Sequence, residues 1–209
     1  MRLVLASNNP GKLSELQSLF APLGLELVAQ GALAIGEAEE PYATFVENAL
    51  AKARHAARAG NGAAIADDSG LVVDALDGAP GVASAHFAPV AHAGVGREEH
   101  RRTQDAANNA LLLERLRGCK DRSARFVSTL VALRNAEDPE PLIATGRWPG
   151  EIAAAPRGQG GFGYDPLVFI PALGKTVAEL DAATKNASSH RALAARQMLA
   201  LMRQAWRLG

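Results

Sequence analysis

Cysteine is nearly missing from this sequence. Cys119 is the only one, so no intramolecular disulfide can form, and a reducing cytoplasm is the expected setting. An excess of charge of either sign is missing as well. Lysine plus arginine and aspartate plus glutamate each total 22, which leaves no overall positive field to hold nucleic acid or an acidic membrane; any anion site must be local. No apolar run approaches the roughly 20 residues that span a bilayer. The opening run Leu3-Val4-Leu5-Ala6 is cut off at once by Ser7-Asn8-Asn9-Pro10. That is too short for a signal-peptide core, and the expectation is a chain not marked for export.

What is present reads as an ordinary globular protein. Hydrophobic residues make up 48% and charged residues 21% of 209 positions, far from the composition of disordered chains. The length suits one domain spanning residues 1–209, or at most two lobes sharing an interface. Residues 2–6 read as a short buried strand. Leu13, Leu16 and Phe20 then recur at helical spacing after Asn9-Pro10, a capping residue followed by proline at the first helical position. Thr44 and Glu47 have capping-box spacing, which predicts a helix running to Ala59. The apolar run Ala63 to Ala66 halts at Asp67-Asp68-Ser69-Gly70 and resumes at Leu71, so the acidic pair is expected in an exposed turn between two strand pieces. Residues 77–96 read as loop and Thr103 to Leu116 as helix. Phe126 to Leu133 and Leu142 to Trp148 are expected strands of a hairpin, followed by a glycine-dense loop, a strand from Leu167 to Ile170, and a final helix capped by Ser188 or Ser189.

Four segments carry residue types suited to chemistry. In Ser7-Asn8-Asn9-Pro10-Gly11-Lys12 a strand delivers a small-residue loop to a helix N-terminus, whose amides and dipole favour phosphate, and Lys12 adds a full charge. It is not a P-loop, because Leu13 stands where a magnesium-binding hydroxyl would be; an ordinary Asn-Pro cap suits the same residues. Glu39-Glu40 and Asp67-Asp68 offer oxygen ligands, and magnesium takes only one or two protein carboxylates; turn chemistry is the alternative for Asp67-Asp68 and a solvated loop for Glu39-Glu40. Glu47 reads as part of its capping box. Gly160-Gly161-Phe162-Gly163-Tyr164-Asp165 combines a pliable backbone with rings able to stack on a base, although a hairpin connection has the same look. Lys185 with Ser188-Ser189-His190-Arg191 gathers donors at the start of the last helix, where purine carbonyl oxygens could be read; surface basic residues behind a serine cap are the alternative.

Taken in order, these segments resemble the inosine/xanthosine triphosphate pyrophosphatase family, the Ham1-like non-canonical purine NTP pyrophosphatases. The residues carrying the likeness are Leu5 to Lys12, Phe45-Val46-Glu47-Asn48-Ala49 with Lys52, Ile65 to Leu71, Gly160 to Pro166, Gly174-Lys175-Thr176 with Glu179-Leu180, and Ser189-His190-Arg191. The resemblance implies an elongated, two-lobed α/β fold with a long central mixed sheet flanked by helices and a nucleotide cleft between the lobes. It also implies a homodimer, a purine nucleoside triphosphate as substrate, and Mg2+ as cofactor. Carried over by position, Ser7, Asn8, Asn9, Pro10, Gly11 and Lys12 match the phosphate loop, and Lys52 lies on a helix turned toward the phosphates. Glu39 and Asp68 match the magnesium ligands and Asp68 the general base. Ser69, Phe162, Gly163, Tyr164, Asp165, Lys185, His190 and Arg191 match substrate contacts. Roles for Asp67 and Glu40 in metal binding stay open, and His86 and the 89–96 loop depart from the family pattern. A Maf-type pyrophosphatase is disfavoured because its phosphate loop is Ser-Pro-Arg-Arg-like. A non-catalytic nucleotide sensor is separated only by turnover.

Overall fold

The computed structural model describes residues 2–91 and 96–208. In chain order the main elements are β1 (Arg2–Leu5), α1 (Pro10–Phe20), β2 (Glu26–Ala29), α2 (Phe45–Ala59), β3 (Ala64–Val73), α3 (Arg97–Arg115), β4 (Ser123–Leu133), β5 (Leu142–Ile152), β6 (Val168–Ile170), β7 (Lys175–Thr176), α4 (Ala182–Ser188) and α5 (His190–Ala205). The seven strands form one sheet in the order β2-β1-β3-β4-β5-β6-β7. β1 runs parallel to β2 and to β3, while β6 is antiparallel to both β5 and β7. The sheet is therefore mixed, and its parallel part is built by the crossover helices α1 and α2. Among the described residues no helix is long and apolar enough to cross a membrane.

Two compact units emerge. The first comprises Met1–Ser69, Val127–Arg147 and Asn186–Gly209, the second Gly70–Phe126 and Trp148–Lys185. The chain passes from one to the other within β3, β4, β5 and α4. In the first unit strand alternation sorts side chains onto two faces. Leu3, Leu5, Ile65, Leu130 and Ala132 join Leu16 and Phe20 of α1 and Ala194, Met198 and Met202 of α5. Val4, Ala6, Ala64, Ala66, Val131 and Leu133 join Ala49, Ala53, Ala56 and Ala57 of α2. The alanine face of α2 lets that helix lie close to the sheet. The second unit packs Leu112 and Leu116 of α3 with Leu71, Phe126, Trp148, Tyr164 and Val168.

Most expected elements are present, with instructive differences. β3 is one unbroken ten-residue strand, and Asp67 and Asp68 are 1% and 6% exposed. The expected exposed turn does not exist, because cations on both faces of the strand pair with the two carboxylates. The helix expected from Thr103 begins at Arg97; its first two turns are polar and carry no apolar period to read. Lys185 sits on α4, separate from the last helix, whose cap is Ser189. β2 and β7 are strands the sequence reading did not anticipate. Of the unusual 89–96 loop, residues 92–95 lie outside the described residues, and His86 is exposed.

At Gly146 the backbone of β5 lies against the start of α5. A Cβ there would collide with the carbonyl oxygen of His190 and lie 2.6 Å from the amide nitrogen of Ala194. Both obstacles are backbone and cannot swing aside. Gly146→Ala is expected to cost about 1–3 kcal/mol of overpacking, lowering the melting temperature by roughly 2–12 °C. A thermal melt followed by circular dichroism checks this, and an unchanged midpoint would show that the helix shifts freely.

Candidate active site

The site builds outward from the end of β1. Asn9 caps α1, its Oδ1 accepting from the amides of Gly11 at 2.9 Å and Lys12 at 3.2 Å, with Pro10 at the first helical position. Ser7 Oγ accepts from the Asn9 amide at 3.2 Å, and Asn8 donates to Glu37 at 3.1 Å. The first-turn amides offered to a phosphate thus serve the cap, leaving the dipole and Lys12 as the positive features of this loop.

Lys12 turns onto Asp67, its Nζ 3.0 Å from Oδ2 and also donating to the Asp67 carbonyl at 3.3 Å. Asp67 is a hub. Its Oδ1 accepts from Ser128 Oγ of β4 at 2.7 Å, and its Oδ2 accepts from Ser69 Oγ and from Arg191 Nε, each at 3.1 Å. Arg191 is 2% exposed; it also donates from Nη2 to Ser69 Oγ at 3.0 Å and pairs through Nη1 with Glu15 of α1. Burial alone would raise the Asp67 carboxyl, but Lys12 and Arg191 hold it far below the usual carboxylate range. Burial pulls the Lys12 ammonium below its ordinary value against the attraction of Asp67. Two cations and two carboxylates make this cluster neutral.

Asp68 follows on the opposite face of β3. Its Oδ1 accepts from Lys52 Nζ of α2 at 2.7 Å, and Lys52 donates equally to Glu40 Oε2 at 2.7 Å. Asp68 Oδ2 is buried and has no hydrogen-bond partner. Burial pushes the Asp68 carboxyl up to about 6 in spite of Lys52. Lys52, desolvated but shared between Asp68 and Glu40, is held above its ordinary value. Two carboxylates against one ammonium leave an excess negative charge beside an orphaned oxygen, which suits a hard divalent cation. No group of three or more His, Cys, Asp or Glu side chains that could hold a metal ion exists among the described residues. Glu39 is exposed, and Glu40 is the member of its pair that reaches Lys52. Asn48 clamps both polar groups of Tyr42, at 3.0 and 3.1 Å, and so steadies the segment bearing the acidic pair. Glu47 serves the helix cap, as its spacing indicated.

The second unit holds the aromatic loop. Asp165 Oδ2 accepts from the Phe162 amide at 3.0 Å and from Lys185 Nζ at 2.8 Å. The Lys185 ammonium stands 4.8 Å from the centre of the Phe162 ring, and Tyr164 donates its hydroxyl to the Ser84 carbonyl at 2.9 Å. The residues expected to gather at the last helix are therefore divided. Ser69, His190 and Arg191 belong to the first unit, where Arg191 is engaged by Asp67. Lys185 belongs to the second, where it is engaged by Asp165. Sequence reasoning missed the hub role of Asp67 and its supports Glu15 and Ser128. Strand alternation across Asp67-Asp68 was a usable signal for the first; nothing local distinguishes Ser128 within an apolar strand.

The Ham1 family profile matches residues 3–201. The chain is 69% identical to a dITP/XTP pyrophosphatase of Methylibium petroleiphilum over 206 residues, covering 99% of each protein. It is 66% identical to one of Leptothrix cholodnii over 211 aligned positions, covering 100% of both. In three dimensions it superposes on a HAM1 protein from Coxiella burnetii with a TM-score of 0.86 at 42% identity, covering 98% of this chain and 100% of that one.

Proposed function

This chain belongs to the Ham1 family, and from that premise we propose that it is a magnesium-dependent nucleoside-triphosphate pyrophosphohydrolase. It hydrolyses non-canonical purine nucleoside triphosphates, those of inosine, deoxyinosine and xanthosine, to the monophosphate and pyrophosphate, and so clears them from the nucleotide pool. One observation carries the catalytic reading: Asp68 stands buried beside Lys52 with one oxygen unpartnered, where burial pushes its carboxyl up to about 6.

A carboxylate poised near the working pH is suited to orient and deprotonate a water for attack on the α-phosphorus. Lys12 and Lys52 neutralise charge that builds on the departing pyrophosphate. Asp68 with Glu39 or Glu40 would hold the magnesium ion, which when bound supplies charge stabilisation to the phosphate oxygens. The Ser7–Lys12 loop binds phosphate, and the Phe162–Asp165 loop with Lys185 takes the base. A homodimer, on the same resemblance, and a cytoplasmic setting, on the single cysteine, complete the assignment.

Base selection follows from donors. Hypoxanthine and xanthine offer an acceptor 6-oxygen where adenine offers an amino donor, and a buried donor left unpaired costs about 1–3 kcal/mol. Pyrophosphate release is to be measured over inosine, xanthosine, adenosine and guanosine triphosphates, with and without magnesium. Expected are a strict metal requirement and a kcat/KM for inosine triphosphate at least about tenfold above that for ATP, with discrimination against GTP the weaker of the two. Release of orthophosphate and diphosphate would mean γ-phosphate attack, and binding without turnover would make the protein a sensor.

A further inference from the structure

The loop Gly160 to Asp165 is gripped from outside by one helix. The amide of Gly163 donates to Asp105 Oδ2 at 2.9 Å, and the carbonyl of Gly163 accepts from Asn109 Nδ2 at 2.9 Å. Gly163 has a φ of +62°, a left-handed conformation in which glycine is unstrained. Asp105 and Asn109 are four residues apart on α3 and share a face. Arg101, four residues earlier, continues that stripe: its guanidinium lies 6.0 Å from the centre of the Phe162 ring and is held by both oxygens of Glu98, at 2.8 and 3.1 Å. Asp105 is half-buried, and burial raises its carboxyl.

We propose that Asp105 and Asn109 are positioning residues that fix the plane of the Phe162 ring and thereby set purine selectivity. The inference rests on the reading that this loop takes the base. Its logic is preorganisation. Three glycines surround Phe162, and freezing each residue's backbone costs about 1–2 kcal/mol. A loop left to order itself on the nucleotide would lose that from affinity and would stack on any purine it met. Here the Phe162 amide is tied to Asp165 and both polar groups of Gly163 are tied to α3, so the ring is set before substrate arrives. Neither α3 side chain needs to touch the nucleotide.

The test uses the full-length protein, with KM and kcat measured for inosine triphosphate and ATP alongside a melting curve. Asp105→Ala is expected to raise KM for inosine triphosphate about tenfold, with kcat changed much less, and to narrow the ratio of kcat/KM for inosine triphosphate over ATP. Asp105→Asn keeps an acceptor for the Gly163 amide and is expected to restore both. Asn109→Ala removes the grip on the Gly163 carbonyl and is expected to move KM and the ratio in the same direction; it decides the matter should Asp105→Ala not fold. Phe162→Ala separates the two levels of the reading. If it loses base preference while folded Asp105→Ala and Asn109→Ala retain wild-type KM and ratio, the positioning role is overturned. If Phe162→Ala itself keeps wild-type KM and preference, the loop does not take the base and the inference falls with that reading.

Discussion

Asp68→Asn is expected to lower kcat by roughly two to four orders of magnitude, the usual contribution of a positioned acid or base, while the protein folds and melts as before. The substitution keeps the shape of the side chain and leaves Lys52 paired with Glu40. It removes only the carboxylate that carries an unpartnered buried oxygen, so the loss should fall on chemistry and metal affinity. The pH dependence has a definite sign. Burial raises the Asp68 carboxyl to about 6 in the metal-free protein. Below that value a proton occupies the group and competes with a cation, so apparent magnesium affinity weakens as pH falls through about 6 and the acid limb disappears in the variant. Magnesium titrations of both proteins across that range, with pyrophosphate release as readout, check the claim. Full activity of Asp68→Asn under saturating magnesium would remove Asp68 from the mechanism.

Asp67→Ala should fail differently, through the fold. It strips Lys12 and Arg191 of the carboxylate they share, and Arg191 is 2% exposed with Glu15 as its remaining acidic partner. Breaking a buried pair from one side costs about 3–5 kcal/mol, because a charge stays buried without compensation. That corresponds to a fall in melting temperature of roughly 6–20 °C for a chain of this size. Adding Lys12→Met to Asp67→Ala should recover part of the loss, since the cation left without its carboxylate goes too while Arg191 keeps Glu15. The proton linkage runs opposite to that of Asp68. Burial opposes ionisation of Asp67, but Lys12 and Arg191 overcome it and depress the carboxyl in the folded state. Its stabilising contribution is therefore complete above the unfolded value of about 3.9 and is lost as pH falls below that toward the folded value. Wild-type unfolding free energy should drop on acidification below about pH 4, and Asp67→Ala should show a flatter acid limb. A variant as stable as wild type at neutral pH would mean the cluster is not held together by Asp67.

Arg191 illustrates how a motif can be found and its local role left undecided. Ser189-His190-Arg191 was legible as a helix start, and Ser189 does cap α5 by accepting from Ala192. Which way the guanidinium turns depends on Glu15 and Asp67, 176 and 124 residues away in the chain, and no spacing rule spans that distance. Glu39 and Glu40 pose the same problem at short range. Adjacent carboxylates on an irregular segment look alike in sequence, and only the fold shows that Glu40 is the one that meets Lys52.

The sequence by itself determined the elements with strong local signals: the Asn9-Pro10 start of α1, the Thr44 cap of α2, the final helix and the apolar strands, because caps and periodicity act within a few residues. Through its ordered motifs it also determined the family. Only the tertiary structure decided that Asp67-Asp68 lies inside a strand. An acidic pair is turn chemistry until distant cations are brought to it, and here Lys12 and Arg191 reach one face of β3 while Lys52 reaches the other. The physical reason is desolvation. A buried carboxylate is tolerable only with its partners in place, and those partners are assembled by packing, which no local window of sequence contains.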